Sequence, residues 1–529
     1  MNNLQINPPS KYTVCRNPAT GDILGYSALN TTDELKSIID NARISQRSWA
    51  RVPVKRRADY MFRVRDYIVQ HAEEISEVIS KDNGKTRVDA LSSDVLPAVM
   101  GVDYYAKRAK NFLKTKYIPS GNILLANKYS KIVRVPYGVI GVISPWNYPF
   151  NIPIAEVVTA ILAGNAVVLK TATETQKVGR KLRDCFSAAN LPQGIFNLVN
   201  IPGHLAGNAL LEYGIDKLFF TGSVTVGKQL MKQASDTLTP MVLELGGNDP
   251  MLVCEDADLY RAASGAVWGG LSNCGQSCGG VERIYVHEKI YPLFLTHLKE
   301  KVEALRVGND EDFNADIGFM TTERQVKIVG RHVEDARAKG AVIFAQSGQL
   351  VKNVSGHALS AYVLTEVNHD MLVMKEETFG PVLGVMKVQN MDNAIKLAND
   401  SDLGLSGSVW SKNRKYAEKL ARKLKVGSVM INDHLMSQGM AETPWGGFKE
   451  SGIGRSHGAI GFAEMTQPQV IVHDMLPFAR QNMWWYPHGE KIYRGLLGAI
   501  YFLYAKSSSK RVKGLRDLLK IVPRYFSTN

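Results

Sequence analysis

The sequence predicts an α/β protein built on a doubly wound parallel sheet, and three observations carry that prediction. Between Val139 and Phe220, short apolar strands alternate with helical patterns. A second α/β region runs from about Gly247 to Asn432. The chain has 529 residues, more than one ordinary core encloses, so two or three domains are expected.

Composition narrows the class. A hydrophobic content of 45% with 22% charged residues is that of a globular protein. No apolar run is long enough to span a bilayer as a helix. The start, Met1-Asn2-Asn3-Leu4-Gln5, has neither a basic region nor an apolar core, so no secretory signal is expected and the default location is cytoplasmic. Five irregularly spaced cysteines (Cys15, Cys185, Cys254, Cys274, Cys278) suggest reduced thiols, and they lack the paired spacing of a zinc site, so no metal is expected. The net charge of +14 is concentrated after Asp474; the rest is nearer balance, which argues against nucleic-acid binding.

The elements follow in order. From about Thr32 to Lys116, apolar residues such as Leu35, Ile38 and Ile39, then Tyr60, Val64, Tyr67 and Ile68, recur at helical spacing. A strand-rich stretch covers Asn122 to Val135. Strands are then expected at 139–143, 166–169, 195–199 and 217–220, with helices at 152–162 and 178–189 between them. The second region shows helices near 259–271, 291–305 and 322–339, strands near 283–286 and 382–388, and a late strand at 466–472.

Several stretches carry chemistry. Asn273 to Gly280 sets Cys274 and Cys278 among glycines and polar residues, where the backbone is approachable. Asn147 follows a buried strand on a stiff turn between Pro145 and Pro149, and its amide suits an oxyanion. Lys170 ends another strand, placed for a ribose hydroxyl or phosphate. Gly222 and Ser223 open a helix whose free N–H groups suit a pyrophosphate, although no G-x-G-x-x-G is present. Glu244 stands between two leucines, where burial raises a carboxylate's proton affinity toward that of a general base. Glu377 and Phe379 pair a carboxylate with a ring at a turn. Each stretch alone is as easily structural: an inert thiol, an ordinary turn, a capping glutamate.

Together they carry a resemblance. The strings PWNYPF (145–150), FTGSVTVGK (220–228), LELGGNDP (243–250), GQSCGG (275–280), EETFGPVLG (376–384) and PWGGFKESGIGR (444–455) are similar, in order and spacing, to those of the NAD(P)-dependent aldehyde dehydrogenase superfamily. The likeness runs from Asn17 to about Val472. It implies a Rossmann-like cofactor domain (1–118 and 137–246), an α/β catalytic domain (247–440) and a small β oligomerisation element (119–136 and 456–474). It implies Cys278 as nucleophile, Glu244 as base and Asn147 as oxyanion donor, with Cys274 structural. NAD or NADP would be held by Ser144, Trp146, Lys170, Thr173, Gly203, Gly222, Ser223, Glu377 and Phe379. NAD-preferring members commonly place a carboxylate three residues after the lysine; this chain has Thr173 there and Glu174 one step on, so NADP is expected to be accepted. Tyr148, Trp268 and Trp445 are the aromatic candidates for a substrate tunnel, and no anion clamp accompanies them, which favours an apolar, long-chain aldehyde. The alternatives are a semialdehyde dehydrogenase, transfer to coenzyme A, or a crystallin-like or scaffold protein that keeps the fold without activity.

Residues 475–529 depart from the resemblance. A short apolar run, 495–505, follows Trp484, Trp485 and Tyr486 and precedes a basic segment with Val512, Leu515, Leu519 and Val522 expected on one face. That composition suits peripheral contact with the cytoplasmic face of a membrane, or packing on the protein itself. The partners expected are a small-molecule aldehyde, further copies in a homodimer or homotetramer, and a membrane surface at 475–529, with no nucleic acid.

Overall fold

The computed structural model describes residues 11–310, 312–348 and 357–527. The N-terminal residues read above for a secretory signal lie outside the described residues. The chain packs as two compact units, 1–112 with 136–467 and 113–135 with 468–529.

The first unit holds two large sheets. One has six strands in the order Gly452–Ile453, Met241–Glu244, Lys217–Thr221, Val139–Ile143, Ala166–Lys170, Phe196–Val199. The last five pair in parallel, and Gly452–Ile453 closes one edge antiparallel. Strands covered on both faces are continuously apolar, and all five residues of Ala166–Lys170 are buried. The chain winds outward from Val139–Ile143 in one direction through residue 199, then returns to its other side at Lys217. That reversal makes a crevice at the carboxyl ends of the strands, where ligands of such sheets bind.

The second sheet has seven strands: Val342–Gln346, Tyr362–Thr365, Val382–Val388, Val281–His287, Asp249–Val253, Ser406–Trp410 and Ser428–Ile431. The sequence shows only two of these plainly. Asp249–Val253 opens on Asp-Pro, which reads as a turn, and Ser406–Trp410 is rich in small polar residues. They pair because the buried Asp249 carboxylate accepts from Ser406 N–H at 3.0 Å and from Ser406 Oγ at 2.6 Å.

The helical N-terminal part is as expected: Thr32–Trp49, Val54–Gln70, Ala72–Asn83 and Leu96–Phe112 are helices. The first carries a reciprocal cap, Thr31 Oγ1 accepting from Glu34 N–H and Glu34 Oε2 from Thr31 N–H.

The second unit contains Lys116–Pro119 paired antiparallel with Lys128–Pro136, and the strand Thr466–Asp474 completes their sheet. Of the stretch 456–474, expected as strand, the part Gly458–Glu464 is instead a glycine-started helix. The remaining residues form the helices Glu490–Tyr504 and Ser508–Leu519, which pack on each other. Gly498 and Gly514 allow the close approach: a Cβ on either would fall within 2.6 Å of the other's carbonyl oxygen. The expected face of Val512, Leu515, Leu519 and Val522 is corrected in part. Val512 and Leu519 are exposed, whereas Val522 lies beyond the helix in the turn Val522–Tyr525. Met483, Ala499, Leu518, Ile521 and Tyr525 form the small core there.

Candidate active site

Glu244, Thr221, Ser144 and Lys170 arrive at the crevice because four neighbouring strands end there. Glu244 ends its strand opposite Thr221 in register, Lys170 ends its own opposite Ile143, and Ser144 follows Ile143. The second sheet contributes Cys278, on the loop between the helix Leu259–Leu271 and the strand Val281–His287. Trp146, Asn147, Gly222, Ser223, Glu244, Cys278, Glu377 and Phe379 line one cavity of about 450 Å³.

The loop before Cys278 follows a strained path. Asn273, Cys274 and Gly275 all take left-handed dihedrals, with φ of 52°, 56° and 70°. For the first two this costs about 1–3 kcal/mol each. Hydrogen bonds offset the cost: Asn273 N–H donates to Asp89 Oδ2 at 3.0 Å, and Gln276 Oε1 accepts from Thr321 N–H at 2.9 Å. At position 275 only glycine fits, since a Cβ would lie 2.2 Å from the Gly380 carbonyl oxygen. Gly247 is pressed as closely against the Cys278 carbonyl, at 2.1 Å from its own would-be Cβ. Cys274 is buried in the apolar core, as a structural thiol should be.

Cys278 is partly buried and opens on the cavity. Burial, then the carboxylates of Glu377, Asp249 and Glu244, push its thiol well above the usual range, so the sulfur rests protonated. Glu244 is held well above the ordinary carboxylate range, first by burial and then by nearby Glu156. Its Oε1 accepts from Ser456 Oγ at 3.4 Å, while its buried Oε2 has no partner among the described residues. A buried, half-satisfied carboxyl facing a cavity is equipped to take a proton.

Asn147 is fixed from both sides. Its Nδ2 donates to Gln276 O at 3.1 Å, using one of two amide protons. Its carbonyl accepts from Asn273 Nδ2 at 2.9 Å and from Lys85 Nζ at 2.7 Å. Lys85 also pairs with Asp94 at 2.8 Å, both side chains fully buried. The second oxygen of Asp94 accepts the N–H groups of Phe150 and Asn151, each at 3.0 Å. Lys85→Met is expected to leave Asp94 buried and unpaired and to cost about 3–5 kcal/mol of stability. A denaturant midpoint unchanged from wild type would refute that.

The Glu377 turn is strapped in a comparable way. Glu282, whose carboxyl burial pushes up to about 7, accepts from the N–H groups of Thr378 and Phe379. This holds Phe379 at a φ of 51° with its ring edge-on to Trp146, centroids 5.4 Å apart. Glu377 Oε1 accepts from Gly247 N–H at 2.9 Å.

The remaining residues singled out in the sequence are spread more widely. Ser144 is buried, and its Oγ has no partner among the described residues. Lys170 is buried, which lowers its proton affinity, while Glu174 acts the other way. A Cβ at Gly203 would lie 3.8 Å from Lys170 Nζ, so these two are neighbours. Ser223 caps the helix Val224–Thr237 by accepting from Val226 N–H at 3.4 Å. Thr173 is exposed and does not line the cavity, whereas Glu174 does. None of Tyr148, Trp268 and Trp445 lines it: Tyr148 is buried beside Ser277, Trp268 is 46% exposed, and Trp445 is buried against Gly279.

Sequence reasoning named Glu174 without placing it on the cavity wall, and it missed Thr221, Leu245, Gly246, Thr322, Arg324, Gln325 and Ile328 there. It also missed the supports Lys85, Asp94, Asp249 and Glu282. The available signal for Thr322 to Ile328 was the helix start at Thr322, whose side chain caps Glu323–Ala338. Among the described residues, no group of three or more His, Cys, Asp or Glu could hold a metal ion.

Comparison with known proteins bears on this geometry. The model of the aldehyde dehydrogenase family matches residues 6–471. A Methylomonas protein named 4,4'-diapolycopene aldehyde oxidase is 38% identical over 491 residues, covering 93% of this chain and 91% of its own. A putative succinate-semialdehyde dehydrogenase [NADP(+)] of Mycolicibacterium smegmatis is 36% identical, covering 85% of this chain and 87% of its own. Among solved structures, the NAD+ complex of an aldehyde dehydrogenase from Bacillus cereus superposes with a TM-score of 0.83 at 32% identity, covering 88% of this chain and 94% of that one. A family match across nearly the whole length, with relatives above one-third identity, leaves one assignment: the chain belongs to the aldehyde dehydrogenase family.

Proposed function

We propose that the protein oxidises an apolar, long-chain aldehyde to its carboxylic acid through a thioester on Cys278. Its cofactor is NAD or NADP, as in the family to which it belongs. The observation that carries the reading is the shared cavity of Cys278, Glu244, Asn147 and Glu377.

The residues present fit a nicotinamide dinucleotide. Ser144 offers a buried hydroxyl without a partner among the described residues, Lys170 a buried cation, and the helix after Ser223 the N–H groups of its first turn. Trp146, Gly203, Gly222, Glu377 and Phe379 complete the set. When bound, the nicotinamide supplies the acceptor for the hydride leaving the substrate carbon.

The chain's own residues do the rest. Glu244 Oε2 takes the proton of Cys278 Sγ, and the thiolate adds to the aldehyde carbon. The remaining amide proton of Asn147 and the backbone N–H of Cys278 stabilise the oxyanion. After oxidation a thioester stays on Sγ. Glu244 first passes the thiol's proton to solvent, then removes a proton from the water that opens the thioester and returns it to the departing sulfur, so the acid leaves with the thiol restored.

Two comparisons support an apolar substrate and the extension's part in it. The match to the Methylomonas protein is longer than the stretch 6–471, so that likeness reaches beyond the family region. The relatives named for succinate semialdehyde match over 454 and 453 residues. The same reading gives 475–529 a peripheral membrane contact. It also assembles copies through the β element, where Tyr117, Val470 and Val472 are exposed.

For the cofactor, Thr173 in place of a carboxylate favours acceptance of NADP, and Glu174 on the cavity wall opposes it. The test is reduction of NAD and of NADP with apolar aldehydes of increasing length and with succinate semialdehyde. Turnover is expected with both cofactors, with the longer apolar aldehydes preferred and Glu174→Gln improving NADP use about fivefold. Preference for succinate semialdehyde would overturn the substrate class; strict NAD use unmoved by Glu174→Gln would overturn the cofactor reading.

A further inference from the structure

The helix Glu490–Tyr504 presents two apolar faces, and among the described residues one is packed while the other is largely exposed. Ile492, Gly495, Gly498 and Ala499 are buried, Gly498 against Gly514 and Gly495 against Ile521. At 3.6 residues per turn, Tyr493, Leu497, Ile500 and Tyr504 fall on the opposite side. There Tyr493, Ile500 and Tyr504 are 68%, 57% and 68% exposed. The stripe continues beyond the helix: Asn122 Nδ2 donates to the Tyr504 hydroxyl at 3.1 Å, and the neighbouring Ile123 is 69% exposed. On the second helix, Val512 and Leu519 likewise point away from the buried Gly514 and Leu518.

Charge says what this face meets. From 475 to 529 there are ten Lys and Arg against Glu490 and Asp517. Both acids are already paired, with Arg494 and with Lys520. Lys491, Lys506, Lys510, Lys513 and Arg516 are exposed. A second copy docking by two-fold symmetry would bring this positive surface against itself. Phosphate-bearing lipid is complementary to it, and tyrosines at the ends of an apolar stripe suit the headgroup level. No helix among the described residues is long and apolar enough to cross a bilayer.

We propose that the hairpin of 490–519 lies in the plane of an anionic bilayer surface, with Tyr493, Leu497, Ile500 and Tyr504 entering the headgroup boundary and the lysines and arginines of 506–516 meeting lipid phosphate. The proposal rests on the membrane contact assigned above and names its surface and its lipid.

The test is sedimentation of the full chain with phosphatidylcholine vesicles, with and without phosphatidylglycerol. Turnover of a short, water-soluble aldehyde and the mass in solution are measured in parallel. Binding is expected to the phosphatidylglycerol vesicles, weakening as salt is raised. Binding should fall at least about tenfold in Y493S/I500S/Y504S and in K510E/K513E/R516E, with turnover unchanged. Equal binding to both vesicle types, or undiminished binding by the variants, would overturn the proposal. So would variants that change the mass in solution, because the stripe would then be an interface between copies. Loss of turnover in the unmodified chain would strike the enzymatic reading instead and leave the vesicle result to stand or fall separately.

Discussion

Cys278→Ala is expected to lower aldehyde oxidation by at least about three orders of magnitude, because the covalent route disappears with the sulfur. Nothing else in the cavity replaces it. Cys274 is buried in the apolar core, and the other three cysteines are buried as well. Alanine at 278 removes one atom from a loop held by Asn273, Gln276 and Gly275, so the loop should keep its path. Cofactor binding, followed by nucleotide fluorescence, should be nearly unchanged. A variant retaining more than a tenth of wild-type turnover would remove the nucleophile from the mechanism.

Glu244→Gln is the second large effect, expected at about 10²–10⁴-fold in steady-state turnover. Glutamine keeps the shape and can still accept from Ser456, so the fold is preserved. If Glu244 serves mainly to activate water, the thioester accumulates and a burst of reduced cofactor precedes the slow phase. Loss of the burst as well would put its main task at the sulfur. The pH profile supplies an independent readout. Burial and Glu156 raise the proton affinity of Glu244, so the carboxyl is neutral on the acid side and becomes a base as pH rises. Wild-type turnover should therefore climb with pH across an interval shifted upward from the usual carboxylate range. The glutamine variant should lack that limb; a retained limb would assign it to another group.

The residues of the candidate site were more legible than their supports, for a physical reason. Cys278, Glu244, Asn147 and Glu377 stand in short strings of glycine, proline and small residues, where a reactive side chain has little else to do. The parallel strands around 139 to 221 were equally plain, because burial on both faces leaves mostly apolar runs, with Lys170, Asn197, Lys217 and Thr221 the few polar positions among them. Lys85, Asp94 and Glu282 were hidden because a charged residue in a sequence reads as solvated. Nothing in the helical spacing of 72 to 112 announces that Lys85 and Asp94 are fully buried, since besides each other their partners are main-chain atoms more than fifty residues away. The strand Asp249–Val253 was hidden for the same reason, its carboxylate being satisfied by Ser406 across the sheet. In the extension, periodicity put Val512, Leu515, Leu519 and Val522 on one face, and Val522 instead lies in the turn beyond the helix. Only the contact of Gly498 with Gly514 shows which face is taken and which is left.

The abutment of Gly275 on the Gly380 carbonyl has a consequence for how such an enzyme changes over generations. Main chain touches main chain there, so the interval between the Cys278 loop and the Glu377 turn is gauged by backbone atoms that exchanges in the cavity wall leave alone. Mutational drift can then recarve the surrounding wall, while Cys278 and the Glu377 turn keep their spacing as if machined into the frame.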